Sequence, residues 1–318
     1  MYAEPPGFDR EQLAATLRQG WGIAAQDLTY VPVGFGTHHY RTGPGRWVNV
    51  DVTPDVSRLD KALRAVAALA EAGLEFVHAP LRRIDDSSRV AAMPGGYAVS
   101  VFDVIEGESY EYGEFPDARL RRQMLQALCR LHATRPAAQP EPDSLAVPHR
   151  DTVFDRLDQP WQGGPFGEPT RELIRSARAH IQALLDRYDE LVPKVRAGRE
   201  NWVVTHGEPH AGNVMTTPDG GIKLIDWDTV RLGAPERDLW MIAPRGEGEW
   251  AAYGSSNVDP DAIELYRRWW ALSEICEFTT VLRAAHLDDA NTRIAWRELQ
   301  NYLSNSSSQP TTGSPNCA

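Results

Sequence analysis

The chain has 318 residues, of which 42% are hydrophobic, and its 33 basic and 44 acidic side chains give a formal net charge of −11. This length and apolar content can form a sizeable core, in one large domain or two lobes. The negative balance argues against a nucleic-acid partner, because little positive charge would offset the phosphates, and it suits a cationic ligand or a metal-bound anion.

The sequence also argues against a membrane or secreted protein. No apolar run approaches the about 18 residues of a membrane helix, and residues 1–12 lack the pattern of a secretory signal. The three cysteines are scattered, without zinc or disulfide spacing. We therefore expect a cytoplasmic protein with no membrane partner, as a monomer or homodimer.

The first hundred residues are predicted to be mostly strands. A helical pattern covers residues 9–19, and the turn TGPGR predicts a hairpin. Residues 56–73 form a helical stripe that ends at Gly73, a residue suited to a C-cap. The predicted strands cover 28–34, 38–43, 46–52 and, as two strands joined by Pro-Gly-Gly, 89–107.

After Gly107 the pattern becomes mainly helical, which predicts an α+β fold. We expect a small β-rich lobe over residues 1–103, a hinge to about residue 107, and a larger helical lobe over residues 108–303. Residues 304–318 are rich in Ser, Thr, Pro and Gly and predict a disordered tail. The predicted helices of the larger lobe cover 120–134, 170–192, 261–285 and 292–303.

One stretch of the larger lobe concentrates polar side chains among short apolar runs. In THGEPHAGN, proline and glycine predict a loop between two strands, and the turn TPDGG that follows predicts a hairpin ending in IDWD. The hairpin could bring Asn213 and Asp226 to one point. An amide oxygen and a carboxylate suit Mg²⁺, and the nearby Glu208 could accept a proton from a hydroxyl group.

Two other interpretations of this stretch remain open. His206 and His210, with Glu208 between them, could bind zinc, although the glycine and proline prevent the helix that the HExxH zinc signature requires. Alternatively, the segment is a structural hairpin with polar turns and hydrogen-bonded histidines.

The motifs HGEPHAGN and IDWD, in this order and spacing, resemble the aminoglycoside phosphotransferase and choline kinase family, and among its members the spectinomycin phosphotransferases. The segments CRLHA, VFDVIEGES and APERDLWMI agree with that resemblance, which covers roughly residues 10–303. It implies a bilobal protein-kinase-like fold that uses ATP or GTP with Mg²⁺.

The resemblance also implies the roles of individual residues. Glu208 takes the place of the catalytic base, and Asn213 and Asp226 take the places of the metal ligands. The residues expected to contact the nucleotide are Gly34, Gly36, Asn49, Asp60, Phe102 and Ile225. The acidic candidates for contact with a cationic substrate are Asp228, Glu236, Glu274 and Glu277.

Two positions depart from the family pattern. Glu208 stands where aspartate is usual, which lengthens the side chain by one methylene. Asn49 occupies the place at which members of the family have a lysine that binds the phosphates. The lysine–glutamate pair that is usual in the family would then become Asn49–Asp60. Another cation could replace the lysine, with candidates Lys61, Arg46 and Arg41; otherwise nucleotide binding is weak, or the protein has a different reaction or none.

The function that we expect is phosphate transfer to a hydroxyl group of an aminoglycoside or aminocyclitol, as in antibiotic resistance. A second possibility is a kinase of another small alcohol: a sugar, a choline-like amine, homoserine or a different antibiotic. A third, of another class, is a catalytically inactive binding protein that retains the fold.

Overall fold

The computed structural model describes residues 1–43, 45–53, 55–242, 251–254 and 258–304, which belong to two compact units. As far as they are described, the first unit contains Met1–Pro142 and Val203–Ser256, and the second contains Asp143–Trp202 and Asn257–Gly313. The predicted hinge therefore lies inside the first unit. Of the predicted tail, only Ser304 lies within the described residues.

The first unit begins with five strands, which are β1 Thr29–Val31, β2 His38–Thr42, β3 Arg46–Val52, β4 Val90–Met93 and β5 Tyr97–Asp103. They form an antiparallel sheet in the order β1-β2-β3-β5-β4. Along β2 and β3 the side chains alternate, and Tyr40 lies opposite Val48 on the buried face. This face packs against Leu13 and Leu17 of helix α1, which covers Arg10–Trp21.

The other face of the sheet carries polar side chains near the loop between β1 and β2. His39 lies opposite Asn49, and Thr37 donates a 2.6 Å hydrogen bond to Asp51. Because alternate residues of a strand share a face, Asn49 and Asp51 lie together. Helix α2 (Val56–Glu71) follows β3 and ends just before Gly73, whose φ of +89° fits the predicted end of the helix.

The rest of the first unit consists of short strands between helices. Helices α3 and α5 cover Ala118–Ala133 and Glu236–Ile242. The strands are β6 Glu108–Ser109, β7 Val203–Thr205, β8 Val214–Thr216, β9 Ile222–Leu224 and β10 Arg231–Gly233. Strand β8 pairs with β9 in the predicted hairpin and with β6 on its other side, while β7 pairs with β10.

The described part of the second unit is helical. Helices α4 (Gly167–Ala197), α6 (Pro260–Arg283) and α7 (Ala290–Ser304) pack together. The predicted helices of the larger lobe are confirmed, although α4 continues past the proposed end and through Pro193. None of the described helices has the length and apolar character needed to cross a membrane.

Close packing in the second unit predicts the effect of one substitution. A Cβ atom at Gly163 would overlap the carbonyl oxygens of Arg283 and Ala284. We expect Gly163→Ala to lower the free energy of unfolding by about 1–3 kcal/mol, because neither backbone oxygen can move freely. Urea denaturation measures this. At Gly198 a Cβ atom would lie 3.8 Å from the carbonyl oxygen of Val195, so Gly198→Ala is the matched control. Equal midpoints for the two variants would contradict the prediction.

Candidate active site

The loop between β7 and β8 is held by the carboxylate of Asp238, which is fully buried at the start of α5. Its two oxygens accept hydrogen bonds from the backbone N–H groups of His206, at 2.9 Å, and Gly207, at 2.6 Å. His132, at the end of α3, donates from Nε2 at 2.9 Å. One carboxylate thus satisfies three buried donors and fixes the start of the loop.

The surroundings of Asp238 keep it ionised. Burial opposes ionisation, but the hydrogen bond from His132 and nearby positive charge outweigh it, so the pKa of Asp238 lies below its ordinary value. The other ring nitrogen of His132, Nδ1, lies 2.7 Å from the Tyr253 hydroxyl. His132 therefore links Asp238 to Tyr253 through its two ring nitrogens.

Only glycine fits at position 207. Its φ of +105° is strained for other residues, and a Cβ atom there would overlap the guanidinium group of Arg237. Arg237 donates to the Thr205 hydroxyl at 3.0 Å and to the Thr229 carbonyl oxygen at 2.9 Å. Arg237 therefore connects β7 to Thr229, in the segment after the hairpin, and its guanidinium group lies next to Gly207 of the loop.

His206 is a structural residue of this loop. Its Nε2 donates to the carbonyl oxygen of Ile225 at 2.9 Å, and its Nδ1 accepts from the N–H of Glu208 at 3.1 Å. Burial lowers its pKa to about 4, so the ring is neutral. Because both nitrogens are engaged, the zinc interpretation is wrong; among the described residues, no group of three or more His, Cys, Asp or Glu side chains is placed to hold a metal.

Glu208 and Asn213 lie at opposite ends of one turn of the loop. Glu208 is half-buried, and its backbone carbonyl oxygen accepts a 2.9 Å hydrogen bond from Nδ2 of Asn213. Asn213 is buried at the end of the 3₁₀ turn Ala211–Asn213. The amide nitrogen also lies 3.2 Å from Nε2 of His210, so the amide oxygen faces away from both partners.

The hairpin brings Asp226 to Asn213, as predicted from the turn TPDGG. The N–H of Ile225 donates to the backbone carbonyl oxygen of Asn213 at 2.9 Å, directly before Asp226. Asp226 has a φ of +64°, a left-handed conformation that is uncommon outside glycine and concentrates at functional sites. Strand β9 is therefore followed by a sharp turn that contains Asp226.

Three carboxylates repel one another at this end of the hairpin. Asp226 and Asp228 keep solvent-accessible surface, but surrounding protein atoms desolvate their carboxylates and raise both pKa values. The charges of Asp228 and Asp51 raise that of Asp226 further. The pKa of Asp51 is raised to about 7, by burial and then by Asp228. Such a region favours a bound cation.

The donor set fits a hard divalent cation. The amide oxygen of Asn213 and the carboxylate of Asp226 are oxygen ligands, and Mg²⁺ commonly takes only one or two protein ligands besides water and phosphate oxygens. These two residues could therefore hold Mg²⁺ together with a phosphorylated ligand.

The expected Asn49–Asp60 pair is not formed. Asn49 accepts a hydrogen bond from Nδ1 of His39 at 3.0 Å, and burial lowers the pKa of His39 to about 4, which leaves the pair neutral. Asp60 instead accepts from the backbone N–H of Arg89 at 2.6 Å. The loop above β2 contains Gly34 and Gly36, with φ values of +70° and +101°, and a Cβ atom at Gly34 would lie 3.6 Å from His39 Nε2.

Two of the cations suggested as replacements for the lysine are engaged elsewhere. Lys61 pairs with Glu141 at 3.1 Å, and Arg46 pairs with Asp103 at 2.6 Å. Arg41 is exposed on β2. A cation that sequence reasoning missed is Arg58, in the first turn of α2, whose charge favours the ionised form of Asp228.

The two apolar candidates for the nucleotide site lie at different strands. Phe102 is buried on β5 opposite Trp47, with its ring 5.2 Å from that of His78. Ile225 is half-buried, and its backbone binds Asn213 and His206. The backbone role of Ile225 is therefore clear, whereas contact of either side chain with a nucleobase stays a prediction.

The four acidic residues expected to contact a cationic substrate are divided between the two units. Asp228 is exposed in the first unit beside Asp226, whereas Glu236 is buried in α5 and does not present its carboxylate to solvent. Glu274 and Glu277 belong to the second unit, where Glu277 lies 3.2 Å from His149 Nε2. The pKa of Glu274 is raised to about 7 by burial and by the charges of Glu277 and Glu298.

Comparison with known sequences shows the family of this chain. The sequence model described as "Phosphotransferase enzyme family" matches residues 28–299. Protein StrN of Streptomyces griseus is 27% identical over 287 residues, which is 87% of this chain and 86% of that protein.

Solved structures extend the comparison to the fold. A spectinomycin phosphotransferase in complex with ADP and spectinomycin matches with a TM-score of 0.71 at 16% identity, covering 91% of this chain and 93% of that one. Its AMP-bound complex gives a TM-score of 0.70. The predicted α+β, protein-kinase-like fold is confirmed, and the chain belongs to the phosphotransferase enzyme family.

The three hydrogen bonds of Asp238 predict a large effect of its neutralisation. In Asp238→Asn one oxygen becomes an NH₂ group that faces a buried donor, which costs about 1–3 kcal/mol for each unsatisfied group. The pKa of Asp238 is lower in the folded state than its ordinary value. The ionised carboxylate therefore adds to the free energy of unfolding above the ordinary aspartate pKa, and this contribution is lost as the pH falls through the folded pKa. Urea denaturation at several pH values measures both effects. The exposed Asp27→Asn is the control, and equal stability of the two variants at neutral pH would refute this role.

The raised pKa of Glu274 predicts a stability effect of opposite sign. Its folded pKa of about 7 exceeds the ordinary glutamate value of 4.5, so the folded state binds the proton more tightly and stability falls as the pH rises between these values. We expect Glu274→Gln to be more stable than the parent at pH 8, with the gain gone below pH about 4.5. Thermal denaturation checks this against the exposed Glu200→Gln. A gain that does not depend on pH would count against the assignment.

Proposed function

We propose that this protein moves the γ-phosphate of a nucleoside triphosphate, ATP or GTP, to a hydroxyl group of a small molecule. The observation that carries the proposal is the loop and hairpin held by Asp238. In it, the Asn213 side chain donates to the Glu208 carbonyl oxygen, and the Asn213 carbonyl oxygen accepts from the N–H of Ile225, the residue before Asp226. Membership of the phosphotransferase enzyme family supports the reaction class.

Each of the three residues has a chemical task in this proposal. The carboxylate of the half-buried Glu208 accepts the proton that the acceptor hydroxyl loses as it attacks the γ-phosphorus and the nucleoside diphosphate leaves. The Asn213 amide oxygen and the Asp226 carboxylate would hold Mg²⁺. The ion would supply positive charge to the phosphate oxygens, which the neutral His39–Asn49 pair does not.

The first candidate acceptor is an aminoglycoside or aminocyclitol, which would make the protein an antibiotic-modifying enzyme of the cytoplasm. Three observations support a cationic acceptor: the net charge of −11, the exposed Asp228 next to the proposed metal ligand, and the fold shared with an enzyme solved with ADP and spectinomycin. The alternative acceptor is another small alcohol, which would use the same three residues.

A catalytically inactive binding protein is the second candidate, and the neutral His39–Asn49 pair favours it. Without an ammonium group at position 49, phosphate binding depends on metal ions and on cations such as Arg58, which interacts with Asp228. The two readings differ in their response to Mg²⁺ and in phosphate transfer.

The task of Glu208 predicts a selective loss of turnover. Glu208→Gln retains the side-chain shape but cannot accept the proton, so we expect transfer to an aminocyclitol panel to fall by about 10²–10⁴-fold. Binding of the nucleotide should change little. Phosphomonoester formation, followed by ³¹P NMR, measures the transfer, and the exposed Glu11→Gln on α1 is the matched control. Unchanged turnover in Glu208→Gln would show that another group is the base.

A further inference from the structure

His210 contacts the candidate metal ligand from inside the loop. Its Nε2 lies 3.2 Å from Nδ2 of Asn213. The proposed function gives this histidine no role of its own. Its ring packs edge-on against Tyr112, with centroids 4.7 Å apart. A Cβ atom at Gly212 would lie 3.2 Å from the ring and 3.2 Å from the backbone nitrogen of Tyr112. The ring is therefore confined on two sides.

Hydrogen-bond chemistry fixes the orientation of the Asn213 amide. The backbone carbonyl oxygen of Glu208 can only accept, so the amide group that approaches it at 2.9 Å must be the NH₂. The second hydrogen of that NH₂ points to Nε2 of His210. With both amide hydrogens engaged, the oxygen is turned away from the loop backbone.

The same chemistry fixes the tautomer of His210. Nε2 must accept, so the proton of the neutral ring is on Nδ1. Nδ1 is buried and has no hydrogen-bond partner among the described residues. An unsatisfied buried donor is destabilising, so an apolar side chain would suit this place better if packing were its only task.

We propose that His210 is a positioning residue that holds the amide oxygen of Asn213 toward the divalent metal of the nucleotide complex. The inference rests on the proposed function, because it requires a metal–nucleotide ligand. Hydrogen-bond partners of metal-ligating groups typically contribute 10–100-fold to metal affinity. Without the acceptor nitrogen, only the Glu208 carbonyl oxygen would hold the amide, so the amide oxygen would be less firmly fixed toward the metal.

The test compares an apolar variant with one that retains an acceptor. His210→Leu fills a similar volume without an acceptor, whereas His210→Gln places an amide oxygen near the position of Nε2. ATP binding is measured by calorimetry without Mg²⁺ and over a Mg²⁺ titration. We expect the Mg²⁺ concentration for half-maximal enhancement of binding to rise about 10–100-fold in His210→Leu and to stay near the parent value in His210→Gln. Mg²⁺-free binding should not change.

A double-mutant cycle separates positioning from a general packing role. Asn213→Ala removes the oriented amide, so adding His210→Leu should not raise the Mg²⁺ requirement further. His180→Leu on α4 is the control histidine substitution. An unchanged Mg²⁺ requirement in His210→Leu, or a rise that His210→Gln does not rescue, would overturn the positioning role alone. If the parent protein binds ATP without any response to Mg²⁺, or does not bind it, the proposed function fails and the inference fails with it.

Discussion

The carboxylate of Asp238 is the interaction on which the candidate active site depends. It is buried and ionised, and it accepts the backbone N–H groups of His206 and Gly207 as well as Nε2 of His132. Burying a charge is costly unless its hydrogen-bonding capacity is satisfied, and this loop supplies that satisfaction through its own backbone. The start of the loop is thus fixed before any ligand binds. Helices α3 and α5 and strand β7, which come from distant parts of the sequence, meet at this one group.

Two further hydrogen bonds connect the start of the loop to Asn213 and Asp226. His206 binds the end of β9 through Ile225, and Ile225 in turn binds Asn213, which places Asp226 beside the loop. The resulting region is acidic, because Asp51 and Asp228 add to the charge of Asp226. The neutral His39–Asn49 pair does nothing to offset it. Under the proposed function, cations would have to accompany the phosphates into such a region. Mg²⁺ would then have a larger share in ligand binding here than in a site with the usual lysine.

The sequence predicts much of the fold because its patterns are local. The hairpins have clear turn residues, and helices such as α2 and α3 have apolar stripes. Strands β6 and β10 have only two and three residues, too few for a detectable alternation. In the site, Asn213 and Asp226 could be placed together because a hairpin brings its ends together. The contacts of Asp238 and His210 could not be predicted from the sequence. Those of Asp238 depend on the directions of backbone N–H groups, and that of His210 depends on the orientation of the Asn213 amide. The expected Asn49–Asp60 pair failed because nearer partners, His39 and the Arg89 backbone, satisfy both side chains.

A crystal structure of the protein with ADP and Mg²⁺ tests the central claim most directly. The account predicts one ion bound by the Asn213 amide oxygen and the Asp226 carboxylate, at the roughly 2.0–2.1 Å typical of Mg²⁺, and bridging to the phosphates. The loop held by Asp238 should not differ from its present conformation. An ion on other residues, or a nucleotide bound without contact to Asn213 and Asp226, would contradict the account.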